Sequence, residues 1–191
     1  MGFLDTLLGR TKPVQANLDS LFELPSAAVT LEAATGLVPT GTGSVCFSTV
    51  EGRSFSDVET EVCQLIDSTL GKGSSAVEVS RDSYGYTWLK VTRPADQISE
   101  LVTDVHAINS SLADNGFGPY LLCSLVSFRK ASSRLALVYL YKRGTFYPFA
   151  PQGREGRDNA LELQVKSAVG ADLKFEPDLG RWFPVYGAPG L

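Results

Sequence analysis

Residues 119–148 read PYLLCSLVSFRKASSRLALVYLYKRGTFYP, and this stretch decides the fold. Tyr120, Leu122, Val126 and Phe128 recur at about every second position, and Leu135, Leu137, Tyr139 and Tyr141 repeat strictly. A period of two places each set on one face of a strand. Leu121, Leu125, Ala136, Val138 and Leu140 fill the opposite face, so both faces are apolar. Strands of that kind are central, covered on both sides or by a neighbouring subunit. Ala131-Ser132-Ser133 and Arg143-Gly144 are polar breaks of hairpin length. The prediction is a three-strand antiparallel meander, with Pro148 ending the pairing of its last strand. Such a sheet accounts for a fold and names no chemistry.

Upstream of the meander, Ile98, Leu101, Val102, Val105, Ile108 and Leu112 follow one another at helical spacing. Pro94 suits the first turn of that helix and Asn115-Gly116 stops it. Before it, Ala76–Val79 and Tyr86–Val91 flank a turn at Asp82-Ser83-Tyr84-Gly85, which predicts a hairpin. Tyr86 and Trp88 share one face of it. Paired sheet aromatics can stack bases, but no RNP-like string accompanies them, and packing inside the protein is the commoner cause. Ser56-Asp57-Val58-Glu59 is a capping box, and Val58, Val62, Leu65, Ile66 and Leu70 continue as an apolar stripe. Ala28–Ala34 and Ser44–Val50 alternate weakly and are expected as two strands joined by the loop GLVPTGTG. Its glycines match no phosphate-binding pattern and are expected as turn residues. Leu18–Leu24, between Asn17 and Pro25, is expected as a short helix.

At the N-terminus, MGFLDTLLGR places Phe3, Leu4, Leu7 and Leu8 on one helical face, and Pro13 ends the segment. Burying four such side chains contributes roughly 1.5–3 kcal/mol each, and ordering the backbone costs about 1–2 kcal/mol per residue. The leader is therefore expected to order only when docked on its own domain, on a partner or on a membrane interface. Downstream of the meander, residues 148–157 are expected as a loop rich in Pro, Gly and Arg. A last helix then carries Leu161, Val165, Ala168 and Val169. The tail from about residue 173 holds Phe175, Leu179, Trp182, Phe183 and Tyr186 among prolines and glycines. It either pins itself across its own core or is donated to a second subunit in a homodimer. The domain organisation is thus a leader over residues 1–17 and one α+β domain over residues 18–191, an antiparallel sheet with helices packed on it.

With 191 residues the chain is long enough to bury a full core without disulfides or metals. Cys46, Cys63 and Cys123 are far apart, odd in number and outside any metal spacing, which suits buried free thiols in a reducing compartment. No apolar run approaches the length of a membrane span, and Asp5 and Arg10 interrupt the N-terminal apolar patch where a signal peptide would need continuity. The expected location is cytoplasmic, or peripheral on the inner face of the membrane. His106 is the only histidine and lacks a Cys or second His at ligand spacing. No catalytic set, metal or cofactor is expected.

Charge is unevenly spread. Residues 115–154 contain six basic and no acidic side chains, against a net −4 for the whole chain. Solvated hairpin ends account for this on ordinary grounds, and an anion-binding or acidic-partner surface is the sharper alternative. Arg143, Arg154 and Arg157 are the candidates for such a site, and the Arg-rich loop 152–157 would serve a small anionic-ligand binder or an enzyme. A nucleic-acid partner is not expected, because an overall pI near 5.0 sets the acidic remainder against phosphates.

The opening run MGFLDTLLGR, followed by KP and then NLDSLFELPSAAVTLEAATGL, resembles the PspA-associated protein PspAB family, an actinobacterial-type group linked to phage-shock and envelope stress. The resemblance implies a non-enzymatic protein with no catalytic residues to carry over. It implies PspA or PspA-associated proteins as partners, met near the cytosolic membrane face. The order of strands and helices also looks similar to type III secretion chaperone-like and YbjN-like folds, a likeness of architecture alone. The expected function is that of an adaptor, with Phe3, Leu4, Leu7 and Leu8 as its partner- or membrane-binding anchor.

Overall fold

The computed structural model describes residues 16–53, 55–70 and 77–191. The leader residues Phe3, Leu4, Leu7 and Leu8, and Ala76 of the expected hairpin, lie outside them. The fold is α+β. Strands β1 (Val38–Phe47), β2 (Glu78–Arg81), β3 (Thr87–Thr92), β4 (Leu121–Lys130), β5 (Ser133–Leu140) and β6 (Thr145–Phe149) form one sheet in the order β2-β3-β1-β4-β5-β6. Every pairing in it is antiparallel. The meander β4-β5-β6 stands as expected from its alternation.

Pro148 does not end pairing, since Leu137 faces Pro148 and Ala136 faces Phe149 beyond it. The ring is tolerated because β6 is the last strand of the sheet and pairs with only one full strand, leaving no donor missed on its outer side. The expected loop after it folds into a small hairpin of β7 (Pro151–Gln152) and β8 (Gly156–Arg157).

Two N-terminal segments differ from expectation. The segment expected as a first strand is helix α1 (Leu24–Thr35). Pro25 occupies the first turn, where a missing N–H costs nothing, and Gly36 closes the helix in the left-handed region at φ 76°. Leu24, Ala27, Ala28, Leu31 and Thr35 are buried, which is helical spacing. The short run Ala28–Ala34 hid that period, and its Ala, Leu and Glu content favours helix in any case. The expected loop GLVPTGTG is mostly strand, because β1 runs through it. Its register jumps between Pro39 and Gly43. That bulge seats Gly41 at φ 80°, where a Cβ would lie 2.0 Å from the Arg93 carbonyl oxygen. The glycines bend a central strand; they do not end it. Residues Leu18–Glu23 form the short helical turn expected there.

The other helices are α2 (Phe55–Leu70), α3 (Ile98–Leu112) and α4 (Asn159–Val169), the last capped by the Asp158 side chain accepting from Leu161 N–H. Helix α3 lies on β1, α2 packs on α3, and α1 packs on α4. Leu101, Val102, Val105, Ile108 and Leu112 of α3 are fully enclosed between helices and sheet.

The four described α-helices cover one face of the sheet. The second face is covered by the C-terminal tail, and a separate apolar cluster forms there around Leu125, Val138, Tyr147, Phe149, Trp182 and Ala188. The tail thus lies across its own chain. Trp182 Nε1–H donates to Glu176 O, Tyr147 O–H to Phe183 O and Ser44 O–H to Pro189 O. A second bulge, with Phe47 facing Leu121 while Cys46 faces Cys123, leaves Leu122 as the extra residue. It exchanges the faces expected for the start of β4: Leu121 joins the helix side and Leu122 the tail side.

Candidate functional site

The tail does not cover its face of the sheet completely. Near the β2–β3 end it leaves an open apolar hollow of about 500 Å³, within the range of small-ligand and anchor-residue pockets. Strand alternation supplies its floor: Cys46 of β1, Trp88 of β3 and Cys123 of β4 point to the tail side. Leu122 and Leu140 also line it. The walls are Tyr84 and Tyr86 from the β2–β3 turn and the segment 183–186 from the tail.

Asp82 builds the turn that carries those tyrosines. Its Oδ1 accepts from Tyr84 N–H and Tyr86 N–H at 2.9 Å each, an Asx turn that fixes the loop. Its Oδ2 accepts from Trp88 Nε1–H at 2.9 Å. One carboxylate therefore ties rim to floor. On the opposite wall Tyr186 O–H donates to Glu155 O and lies edge-on to Phe149. The rim is nonetheless wet: Tyr84 is 70%, Phe183 55% and Tyr86 41% exposed. Clustered exposed aromatics on fixed backbone are a surface that monomeric proteins seldom leave bare without use.

A hydrogen bond with Cys123, then burial, push the Cys46 thiol up from its ordinary range. Burial, then the nearby Cys123, push the Tyr147 phenol up. Both groups stay protonated.

The residues proposed from sequence fall elsewhere. Arg143 pairs with Glu176, whose other oxygen contacts include the Thr145 hydroxyl. Arg157 pairs with Glu162 and donates to the Trp182 carbonyl. Arg154 is exposed in the β7–β8 turn. Two of the three candidate anion-binding guanidiniums are thus engaged by carboxylates of the same chain. His106 lies against the Phe22 ring at a tilt and 3.4 Å from Asp19 on the helical side, across the sheet from Cys46 and Cys123. Among the described residues no three His, Cys, Asp or Glu side chains gather as metal ligands.

The hollow itself was not assembled from sequence. Its parts carried signals: Tyr86 and Trp88 on one strand face, aromatics in the tail, and two cysteines among apolar residues. Their convergence needs the β1–β3 and β1–β4 registers and the path of the tail, which no local pattern encodes.

No curated protein and no solved structure matches the chain. A family profile described as PspA associated protein B matches residues 1–190. That is essentially the whole chain, and the protein belongs to the PspA associated protein B family.

Proposed function

We propose that this protein is a non-enzymatic adaptor of a PspA-type envelope-stress response, and that its aromatic hollow receives an apolar side chain of a protein partner, PspA or a PspA-associated protein. The observation that carries the reading is the exposed rim of Tyr84, Tyr86 and Phe183 around a preformed apolar floor. Aromatic anchors around a desolvated pocket are where binding energy concentrates in protein interfaces. The family's association with PspA supplies the class of partner. Among the described residues no helix is long and apolar enough to cross a membrane. Contact with the inner membrane face is assigned to the leader, through Phe3, Leu4, Leu7 and Leu8. The anionic-ligand reading of Arg143, Arg154 and Arg157 is less favoured, because Glu176 and Glu162 already occupy two of these guanidiniums.

The test is binding of the purified chain to immobilised PspA and to PspA-associated proteins from the same host. Tyr84→Ser with Phe183→Ser should weaken capture about tenfold or more, the effect of losing over 1.4 kcal/mol at an anchor. Both side chains are mostly in water, so stability should change by no more than about 0.5 kcal/mol each. Undiminished capture by a folded double variant would remove the hollow from the interface.

A further inference from the structure

Cys46 of β1 and Cys123 of β4 are direct cross-strand partners, and both line the same hollow on the tail side of the sheet. Directly opposed residues of an antiparallel pair have Cα atoms about 4.5 or 5.5 Å apart, according to pair type. A disulfide accepts Cα separations of roughly 4.4–6.8 Å, a range that includes both values. Both cysteines line a hollow that opens to solvent. All three cysteines are free, and Cys63 belongs to helix α2 on the other side of the sheet.

We propose that Cys46 and Cys123 form a modifiable dithiol, which a small two-electron oxidant of the peroxide class converts to a cross-strand disulfide. The thiolate of one cysteine attacks a peroxide oxygen, breaking the O–O bond and giving a sulfenic acid; hydroxide leaves and takes up the thiol's proton as water. The second sulfur then attacks the sulfenic sulfur, forming the S–S bond and expelling a second water. Two thiols and one hydrogen peroxide become one disulfide and two waters. Both cysteines are mostly enclosed, so the pair resists trace oxidant and converts under sustained exposure. The hollow admits a molecule as small as peroxide and sets the two sulfurs side by side for the second step. This site follows from strand register and holds whether or not a partner uses the hollow.

The experiment uses the full chain and a Cys63→Ser variant that removes the third thiol. Each is incubated with millimolar hydrogen peroxide, unfolded in an alkylating agent and mapped by mass spectrometry. The expected product is a monomer lighter by two hydrogens, with a Cys46–Cys123 linked peptide. Its melting temperature should rise by roughly 5–15 °C, as for closing a long loop, and should fall back with dithiothreitol. Cys123→Ser should abolish both changes. Two alkylated thiols, sulfinic acid on either cysteine, or linkage only through Cys63 between chains would each overturn the proposal. The wild-type mapping decides this even if Cys123→Ser does not fold.

Discussion

Arg157 holds Glu162 through Nε–H at 2.7 and 2.9 Å from the two carboxylate oxygens, at a place where Glu162 is almost fully enclosed. Glu162 Oε1 also accepts from Ala150 N–H, and Arg157 also donates to the Trp182 carbonyl and lies over the Phe149 ring. One ion pair therefore joins β6, β8, α4 and the tail. Removing one member of a buried pair strands the other charge. Arg157→Ala should cost roughly 3–5 kcal/mol in urea unfolding. Arg157→Lys should rescue little, because an ammonium cannot reproduce the planar fork. A stability loss below about 1 kcal/mol would mean that Arg157 is kept for something other than the fold.

Stability should fall at both ends of the pH scale, for separate reasons. Burial raises the Glu176 carboxyl, but hydrogen bonds from Arg143, Thr145 and Asp178 N–H outweigh it and hold the group below the ordinary 4.5. A depressed carboxyl contributes stability that is complete above about 4.5 and disappears as pH drops through the lower folded value. At the alkaline end, burial and neighbouring Tyr141 push Tyr139 up to about 12. A raised phenol stabilises fully below its ordinary 10.0 and loses that contribution as pH climbs toward 12. Thermal melts across pH should show both slopes. Glu176→Gln should flatten the acid limb and Tyr139→Phe the alkaline one, while leaving the opposite limb in place.

Asp82 is the hinge between rim and floor of the hollow. Asp82→Ala removes acceptors for two backbone N–H groups and for the Trp88 indole. The expected loss is about 1–3 kcal/mol, the cost of leaving a buried indole donor unpaired. Trp88 fluorescence in a Trp182→Phe background should report a changed environment. Partner capture should weaken along with it if the turn presents Tyr84 and Tyr86 as proposed. An unchanged spectrum would show that the indole finds another acceptor.

Gly41 and Gly153 offer a controlled contrast. Both have positive φ, but a Cβ at Gly41 would meet the Arg93 carbonyl at 2.0 Å, whereas Gly153 has open space around it. Gly41→Ala should cost roughly 2–5 kcal/mol, combining left-handed strain with overpacking. Gly153→Ala should cost only about 1–2 kcal/mol of strain. Equal costs in denaturant would show that the bulge in β1 relaxes around the added methyl group.

Deleting Met1–Arg10 tests the leader apart from the hollow. Because the described core closes without those residues, melting temperature should stay within a few degrees, about the shift expected for 1 kcal/mol in a chain of this size. Capture by partner or flotation with anionic vesicles should weaken if the leader is the anchor. Equal capture and flotation with and without it would remove that role.

Two-residue alternation, strict in β5 and looser in β4, with the polar breaks between them and β6, determined the meander from sequence, and three-to-four spacing determined α2, α3 and α4, because each pattern is a local response to a buried face. Family membership was also legible in residues 1–50, through near-literal motif similarity. Local pattern failed where the environment was two-sided or compact. The alanine-rich Ala28–Ala34 gave too few apolar positions to set a period, and the glycines of β1 looked like a loop until strands on both sides imposed pairing on them. The hollow, the Cys46–Cys123 pair and the neutralising of Arg143 and Arg157 belong to tertiary structure alone. Each joins residues far apart in the chain, and only strand register and the return of the tail across the second face bring such residues into contact.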